Sequence, residues 1–238
     1  MAIGKLQRFA EMEHFSNVIQ PSFEEVWQKD HVLKGKWAAS CFKNKKPIVL
    51  ELGCGKGEYT IGLAQRFKDK NFIGIDIKGA RMFIGARQGL QEKIANAVFL
   101  RTRIELLRSF FGRDEISEIW ITFPDPQLKK RRVKKRLTSS GLLNMYKQFL
   151  APGGLVHLKT DNDTLYEYTL ALARENRLEI RCSTGDLYNS GMDDDILSIQ
   201  TFYEKQFLEQ GMSINYLCFR LDNKEKIEEP EGEDYYIR

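Results

Sequence analysis

The segment FPDPQLKKRRVKKR, residues 123–136, sets one carboxylate beside a block of positive charge. Asp125 lies between Pro124 and Pro126, which fix the backbone and cannot donate to a sheet ladder. The preceding run, Ile119 to Phe123, is apolar and strand-like, so the prolines end a strand and turn the chain outward with a single acid. Seven of the eight residues after Leu128 are basic: Lys129, Lys130, Arg131, Arg132, Lys134, Lys135 and Arg136. A fixed carboxylate can orient a base or favour positive charge arriving on a ring. Clustered Lys and Arg suit a phosphate backbone, since each neutralised phosphate releases counterions. Alone, the block says only that a partner is anionic, and many such runs are solvated faces.

A second group lies upstream. Glu51-Leu52-Gly53-Cys54-Gly55-Lys56-Gly57 begins in the apolar run Ile48–Leu52, and Asp76 sits near the end of the next run, Phe72–Ile77. Glycines let a backbone turn sharply and approach a ligand closely. An acid at this separation is placed to meet ribose hydroxyls. The spacing is not GxGxxG, and Glu58 would repel a pyrophosphate at the start of the following helix, so a cationic cofactor fits better than a dinucleotide. A plain tight turn in an α/β domain is the alternative. The E-x-G-x-G-x-G spacing resembles the first motif of S-adenosylmethionine-dependent methyltransferases. That resemblance implies that Glu51 and the backbone at Gly53 and Gly55 face the methionine part of the cofactor, with Asp76 on the ribose.

The elements that must position these groups alternate. Strand-like runs at 48–52, 72–77, 97–100, 119–123 and 154–159 are separated by helical spacings at 58–64, 79–95, 106–111, 141–150 and 162–175. This predicts an α/β fold with a doubly wound, mostly parallel sheet and helices on both faces, whose ligands sit at the carboxyl ends of strands. Residues 1–46 read as a polar helical segment, 47–221 as the main domain, and 222–238 as a solvated acidic tail with seven acids against three bases. Residues 1–20 carry only a weak apolar stripe, so their ordering is expected to await RNA.

Composition narrows the class. Hydrophobic residues make up 42% and charged residues 29%, which supports a core and excludes overall disorder. The basic block contributes +7 to a chain total of +4, so the remainder is net negative and the positive charge is local. No run approaches the ~20 apolar residues of a membrane span, and MAIGKLQRFAEMEHF has no signal core. A cytoplasmic protein with no membrane partner is expected. Cys41, Cys54, Cys182 and Cys218 form no CxxC, and His14, His31 and His157 are scattered, which speaks against a disulfide framework or a metal site.

The segment FPDPQLKKRRVKKR resembles the diagnostic motif of the bacterial tRNA (guanine-N7)-methyltransferase family, FPDPWxKxRHxKRR. Leu158-Lys159-Thr160-Asp161 is similar to its Thr-Asp motif, and Gln200-Thr201-Phe202-Tyr203-Glu204-Lys205 to its T-x-[FY]-E motif. The resemblance runs from about Val49 to Leu217. It implies a Rossmann-like class I methyltransferase fold, S-adenosyl-L-methionine as cofactor with S-adenosyl-L-homocysteine as product, and tRNA as partner. The product would be 7-methylguanosine at position 46, in the variable loop. Carried over by residue, it places Glu51, Gly53, Gly55, Asp76 and Asp125 in the cofactor pocket, with Asp125 also catalytic. Lys129, Asp161, Thr201 and Glu204 become substrate contacts; with tRNA as partner, the clustered charge of Lys130, Arg131, Arg132, Lys134, Lys135 and Arg136 is expected to contact the RNA backbone. No metal is implied, and monomer or homodimer stays open.

Three departures stand out. The motif's tryptophan is Gln127, its histidine is Arg132, and the family's acid after the third strand falls on Arg103, so that Arg103, Glu105 or backbone groups must serve the adenine. Structural alternatives accompany several residues. Thr160-Asp161 can cap the helix that follows, and Thr201 with Glu204 reads equally as a capping box. Trp27, Trp37, Phe110-Phe111 and His157 read as packing residues. Two rival functions remain: a methyltransferase for protein or small molecules, which leaves the basic block idle, and a non-enzymatic RNA-binding protein on a degenerate fold.

Overall fold

The computed structural model describes residues 4–192, 197–221, 225–232 and 235. The chain divides into two compact units, Met1–Gly112 and Arg113–Arg238. No Pro/Gly/Ser linker marks this division in the sequence.

Among its described residues the first unit holds β1 (Val18–Ile19), β2 (Ile48–Leu52), β3 (Asn71–Asp76) and β4 (Ala97–Arg101), in the spatial order β1-β4-β3-β2 and all parallel. β2 and β4 read as continuous apolar runs because parallel strands are covered on both faces; all five residues of β2 are buried. Register sets Leu52 beside Ile75 and Asp76 beside Arg101, so the carboxyl ends of β2, β3 and β4 are neighbours.

The helices of this unit are α1 (Lys5–Met12), α2 (Phe23–Val26), α3 (Glu58–Arg66) and α4 (Gly79–Gln91). α1 uses its apolar stripe on α4: a Cβ on Gly79 would stand 2.8 Å from the Phe9 ring and 2.9 Å from the Met12 methyl. Residues 1–46, expected as a separate helical segment, instead supply the edge strand β1 and a short π turn at Trp37–Cys41. The indole of Trp37 is buried and donates to the Phe110 carbonyl at 2.8 Å, and Phe110 and Phe111 are core residues.

In the second unit the described strands are β5 (Ile116–Thr122), β6 (Leu150–Thr160), β7 (Ile180–Thr184) and β8 (Asn215–Arg220), ordered β5-β6-β8-β7. β5 and β6 are parallel, whereas β8 runs antiparallel to both β6 and β7. α5 (Ser140–Tyr146), α6 (Asp163–Glu175) and α7 (Phe202–Glu209) complete it. His157 is structural: its ring stacks on Trp120 with centroids 3.9 Å apart, and Nδ1 lies 2.9 Å from the Tyr216 hydroxyl.

The described part of the acidic tail is docked, unlike the solvated tail expected. Ile227 is buried and supplies the apolar anchor. Its carbonyl accepts from Asn144 at 2.8 Å, and the Glu228 amide donates to Asn176 at 2.8 Å. Glu229 accepts from the Tyr168 hydroxyl at 2.5 Å and from the Ser140 amide at 3.0 Å.

Two glycines test the close packing of the first unit against open space in the second. A Cβ on Gly85, inside α4, would stand 2.6 Å from the Lys56 carbonyl oxygen and 2.9 Å from the Gly57 Cα. Gly141, in α5, has nothing within 4 Å of such an atom. Gly141→Ala is expected to stabilise by about 0.5–1 kcal/mol through helix propensity. Gly85→Ala is expected to lose about 1–3 kcal/mol to overpacking, reversing that sign. Thermal unfolding of both variants checks the pair; equal gains would refute the close approach.

Candidate functional site

In the first unit the glycine loop connects β2 to α3 through three residues at positive φ: Gly53 (77°), Gly55 (54°) and Gly57 (76°). Side chains rarely adopt this region, which is why glycine stands there. The loop is held from both sides. Gly53 and Cys54 amides donate to the Ile75 carbonyl at 2.8 and 3.0 Å. The Gly85 amide donates to the Lys56 carbonyl at 2.8 Å. A Cβ on Gly57 would strike the Phe99 ring at 2.5 Å, and one on Gly74 would meet the Thr60 hydroxyl oxygen at 2.6 Å. Gly74 and Gly85 thus allow the close packing that holds the loop; a glycine inside the strand FIGID is the sequence signal for it.

Asp76 ties the glycine loop to the turn that follows β3. One carboxylate oxygen accepts from the Gly55 amide at 3.0 Å and the other from the Lys78 amide at 2.8 Å, leaving the carboxylate half-buried at the carboxyl end of β3. Glu51 is tied into the fold at the same end of the sheet. It is buried, and one oxygen accepts from both the Thr60 amide, at 2.8 Å, and the Thr60 hydroxyl, so it secures the first turn of α3. Cys54 is buried between them, and desolvation, reinforced by Glu51 and Asp76, pushes its thiol well above the ordinary range. Arg103 is exposed after β4, its guanidinium 5.9 Å from the centre of the Phe23 ring, which itself stacks on Trp27.

The second unit carries the other predicted residues. Asp125 is exposed, and one oxygen accepts from the Gln127 amide at 3.0 Å. Phe123 and Gln127, on either side of the Pro-Asp-Pro triplet, both have φ of 48°. Such conformations cost on the order of 1–3 kcal/mol each in non-glycine residues and concentrate at functional sites. The Phe123 amide donates to the Lys159 carbonyl at 2.8 Å, pinning the start of the turn to β6.

The basic block forms a 3-10 turn, Lys130–Lys135. Lys129, Lys130, Arg131, Arg132, Lys134 and Lys135 are exposed. Arg136 is not: it is fully buried, with Nε donating to the Pro126 carbonyl at 2.9 Å and Nη2 to the Tyr235 carbonyl. A guanidinium shut away from water cannot reach a phosphate, so Arg136 drops out of the expected RNA-contact set.

The two downstream motifs also divide. Thr160 is buried and its hydroxyl accepts from the Asn162 amide; Asn162, not Asp161, caps α6 by accepting from Leu165 at 2.9 Å. Asp161 is left half-buried, its carboxyl raised above the usual range by burial and by the neighbouring charge of Asp163. Thr201 and Glu204 form the capping box of α7, with both reciprocal bonds at 3.2 Å. Glu204 is fully buried, and its other oxygen takes the Lys159 ammonium at 2.6 Å and the Tyr188 hydroxyl at 2.7 Å. The expected role of Glu204 as a direct substrate contact is therefore replaced by a structural one, while Thr201 stays half-buried at the helix start. Lys159, part of the Leu158–Asp161 motif but with no role implied there, is fully buried and also donates to the Leu197 and Ile199 carbonyls, burial holding its ammonium below the ordinary range against the opposing pull of Glu204.

A family model described as "Putative methyltransferase" matches residues 45–217. A tRNA (guanine-N(7)-)-methyltransferase of Bacteroides thetaiotaomicron is 47% identical over 233 residues, spanning 98% of this chain and 92% of that protein. One from Christiangramia forsetii is 52% identical over 219 residues, spanning 92% and 98%. Among solved structures, the 16S rRNA methyltransferase KamB superposes with a TM-score of 0.59 at 14% identity, over 81% of this chain and 94% of that one. This likeness shows the Rossmann-like class I methyltransferase fold with its mostly parallel sheet, as the strand and helix alternation predicted. No helix among the described residues is long and apolar enough to cross a membrane.

Removing the Lys159 ammonium alone strands a buried carboxylate. Lys159→Met is expected to destabilise by about 3–5 kcal/mol, whereas adding Glu204→Gln removes the stranded charge and should restore at least half of that loss. Denaturant unfolding of the single and double variants checks the coupling; additive losses would refute it.

Proposed function

The chain belongs to the tRNA (guanine-N(7)-)-methyltransferase family, and on that footing we propose that it transfers a methyl group from S-adenosyl-L-methionine to nitrogen 7 of a guanine in tRNA. The guanine we propose is position 46 of the variable loop. The observation that carries this reading is the FPDPQLKKRRVKKR segment. It sets an exposed acid, pinned by two prolines, directly before six exposed bases. The names of relatives at 47% and 52% identity support the same reaction.

The first unit suits the cofactor. Positive-φ Gly53 and Gly55 present bare backbone at the carboxyl end of β2. Asp76 uses one lone pair of each oxygen on an amide and retains the others for ribose hydroxyls. Glu51 and Asp76 make the loop electronegative, which favours a sulfonium over a phosphate. Arg103 offers a planar face and donors for the adenine. When bound, the cofactor supplies an electrophilic methyl group.

The remaining work falls to residues of the second unit. Nitrogen 7 of guanine already bears a lone pair, so no general base is required. Positioning is the main demand, and well-oriented intramolecular reactions gain up to ~7–11 kcal/mol from it. Asp125 orients the guanine through its amino and imino edge and offsets the positive charge that methylation leaves on the ring. Asp161 helps grip the base, and Thr201 offers its hydroxyl at the start of α7. Lys129, Lys130, Arg131, Arg132, Lys134 and Lys135 hold the phosphate backbone.

Incubation with labelled S-adenosyl-L-methionine and unmodified tRNA, followed by cleavage mapping, is expected to find 7-methylguanosine at one variable-loop guanine. Asp125→Ala should lower turnover by about 100-fold with cofactor still bound. Binding of both ligands without any methyl transfer by the wild-type chain would overturn the reading in favour of an RNA-binding protein.

The pH profile gives a second test. With the Asp161 carboxyl raised above its ordinary 3.8, it protonates at a higher pH than a solvated aspartate. The rate should fall on the acid side as pH drops through that raised value, and Asp161→Asn should abolish this limb. An unchanged acid limb in Asp161→Asn would remove Asp161 from the site.

A further inference from the structure

Six of the seven basic residues in the block face solvent, and the seventh does the opposite. Arg136 is fully buried although it closes the same 3-10 turn. Its Nε donates at 2.9 Å to the carbonyl of Pro126, the residue directly after Asp125. Its guanidinium carbon sits 4.3 Å from the centre of the Tyr168 ring, and Nη2 reaches the Tyr235 carbonyl in the C-terminal tail. Tyr235 also meets Tyr168 edge-on, with centroids 5.9 Å apart. Glu229 closes the assembly by accepting from the Tyr168 hydroxyl at 2.5 Å and the Ser140 amide at 3.0 Å.

The socket therefore joins the tail to the turn that carries Asp125. We propose that Arg136 is a positioning residue for Asp125, and that tail residues Glu229 and Tyr235 complete the socket that holds it. The proposal rests on the reading in which Asp125 acts on the guanine.

The turn has need of such a hold. Phe123 and Gln127 both sit at φ of 48°, a conformation that relaxes unless its surroundings fix it. Its first residue is tied to β6 through the Lys159 carbonyl. Among the described residues Asp125 itself bonds to the Gln127 amide alone. The bond from Arg136 arrives between those two residues, on the Pro126 carbonyl, and anchors the far side of the turn to α6 and the tail. A buried guanidinium is costly unless its partners are in place. The Pro126 and Tyr235 carbonyls satisfy Nε and Nη2, and the Tyr168 face and the Glu229 charge offset the burial, while Nη1 has no hydrogen-bond partner among the described residues. Loss of the tail would therefore strand more of the guanidinium, which couples tail docking to Asp125 placement.

Four variants separate this role from a phosphate contact: Arg136→Ala, Arg136→Lys, Glu229→Ala, and Lys134→Ala as the exposed control. Turnover, tRNA affinity over a range of salt, and hydrogen exchange across 123–128 are measured on the full chain. Arg136→Ala should lower kcat by about 10- to 100-fold, since a misplacement near 1 Å can cost about 100-fold. Its tRNA affinity should stay within about threefold of wild type with an unchanged salt slope, and exchange across 123–128 should quicken. Arg136→Lys should recover part of kcat, because one donor can still reach Pro126. Glu229→Ala should move kcat and exchange the same way. Lys134→Ala should instead weaken affinity and lower the salt slope by about 1.

A fall in both affinity and slope for Arg136→Ala would overturn the proposal, as would wild-type kcat and exchange in both Arg136→Ala and Glu229→Ala. Should Arg136→Ala fail to fold, Glu229→Ala decides. An absence of methylation in the wild-type chain would sink the functional reading alone, because the exchange measurement still reports on the socket.

Discussion

A charged group taken out of water must find partners where it lands. Among its described residues the second unit buries Arg136, Lys159 and Glu204, and its organisation follows from where their partners come from. Lys159, near the end of β6, reaches Glu204 at the start of α7 and the carbonyls of Leu197 and Ile199. One ammonium thus gathers a strand, a helix cap and the chain that leads into it. Arg136 gathers the Pro126 turn, α6 and the tail in the same manner. Neither charge is well placed to contact a ligand directly. Arg136 ties the turn that carries Asp125 to α6 and the tail, and the backbone carbonyl of Lys159 holds the start of that turn.

The first unit solves its problem by omission. Its loop is threaded between a strand and a helix that come too close for side chains, and Gly57, Gly74 and Gly85 clear the space around Phe99 and Thr60. Backbone amides and carbonyls then meet directly, as between Gly85 and Lys56. The acids that remain are turned to hydrogen-bonding duty: Glu51 on Thr60, Asp76 on Gly55 and Lys78. A ligand in that loop meets a rigid backbone whose negative charge is already oriented.

Much of this is legible in local sequence pattern. β2 to β6 and α3 to α6 follow from apolar runs and helical spacing, because parallel strands covered on both faces leave an unmistakable trace. The glycine loop, Asp76 and the Pro-Asp-Pro turn were legible for a similar reason: each needs particular residue types at fixed spacing. The antiparallel pair β7 and β8 escaped notice, as did the two-residue strand β1, since short or half-exposed strands lack that trace. The capping box of Thr201 and Glu204 is legible as S/T-x-x-E, but the burial of Arg136 and the ion pair of Glu204 with Lys159 are not. Their partners lie far along the chain, 99 residues from Arg136 to Tyr235 and 45 from Glu204 to Lys159, and no local window reports a distant carbonyl or ammonium. The tail misled in the same way, for its acidic composition conceals Ile227 and the bonds made by its backbone.

Cys54 occupies the middle of the loop proposed to cradle an alkylating agent. Thiols attack electrophiles as thiolates. Burial and the two neighbouring carboxylates keep this one protonated. Under the proposed reaction, the loop can carry a sulfur atom beside a reactive methyl donor without consuming it. The same burial makes Cys54 a poor target for oxidants.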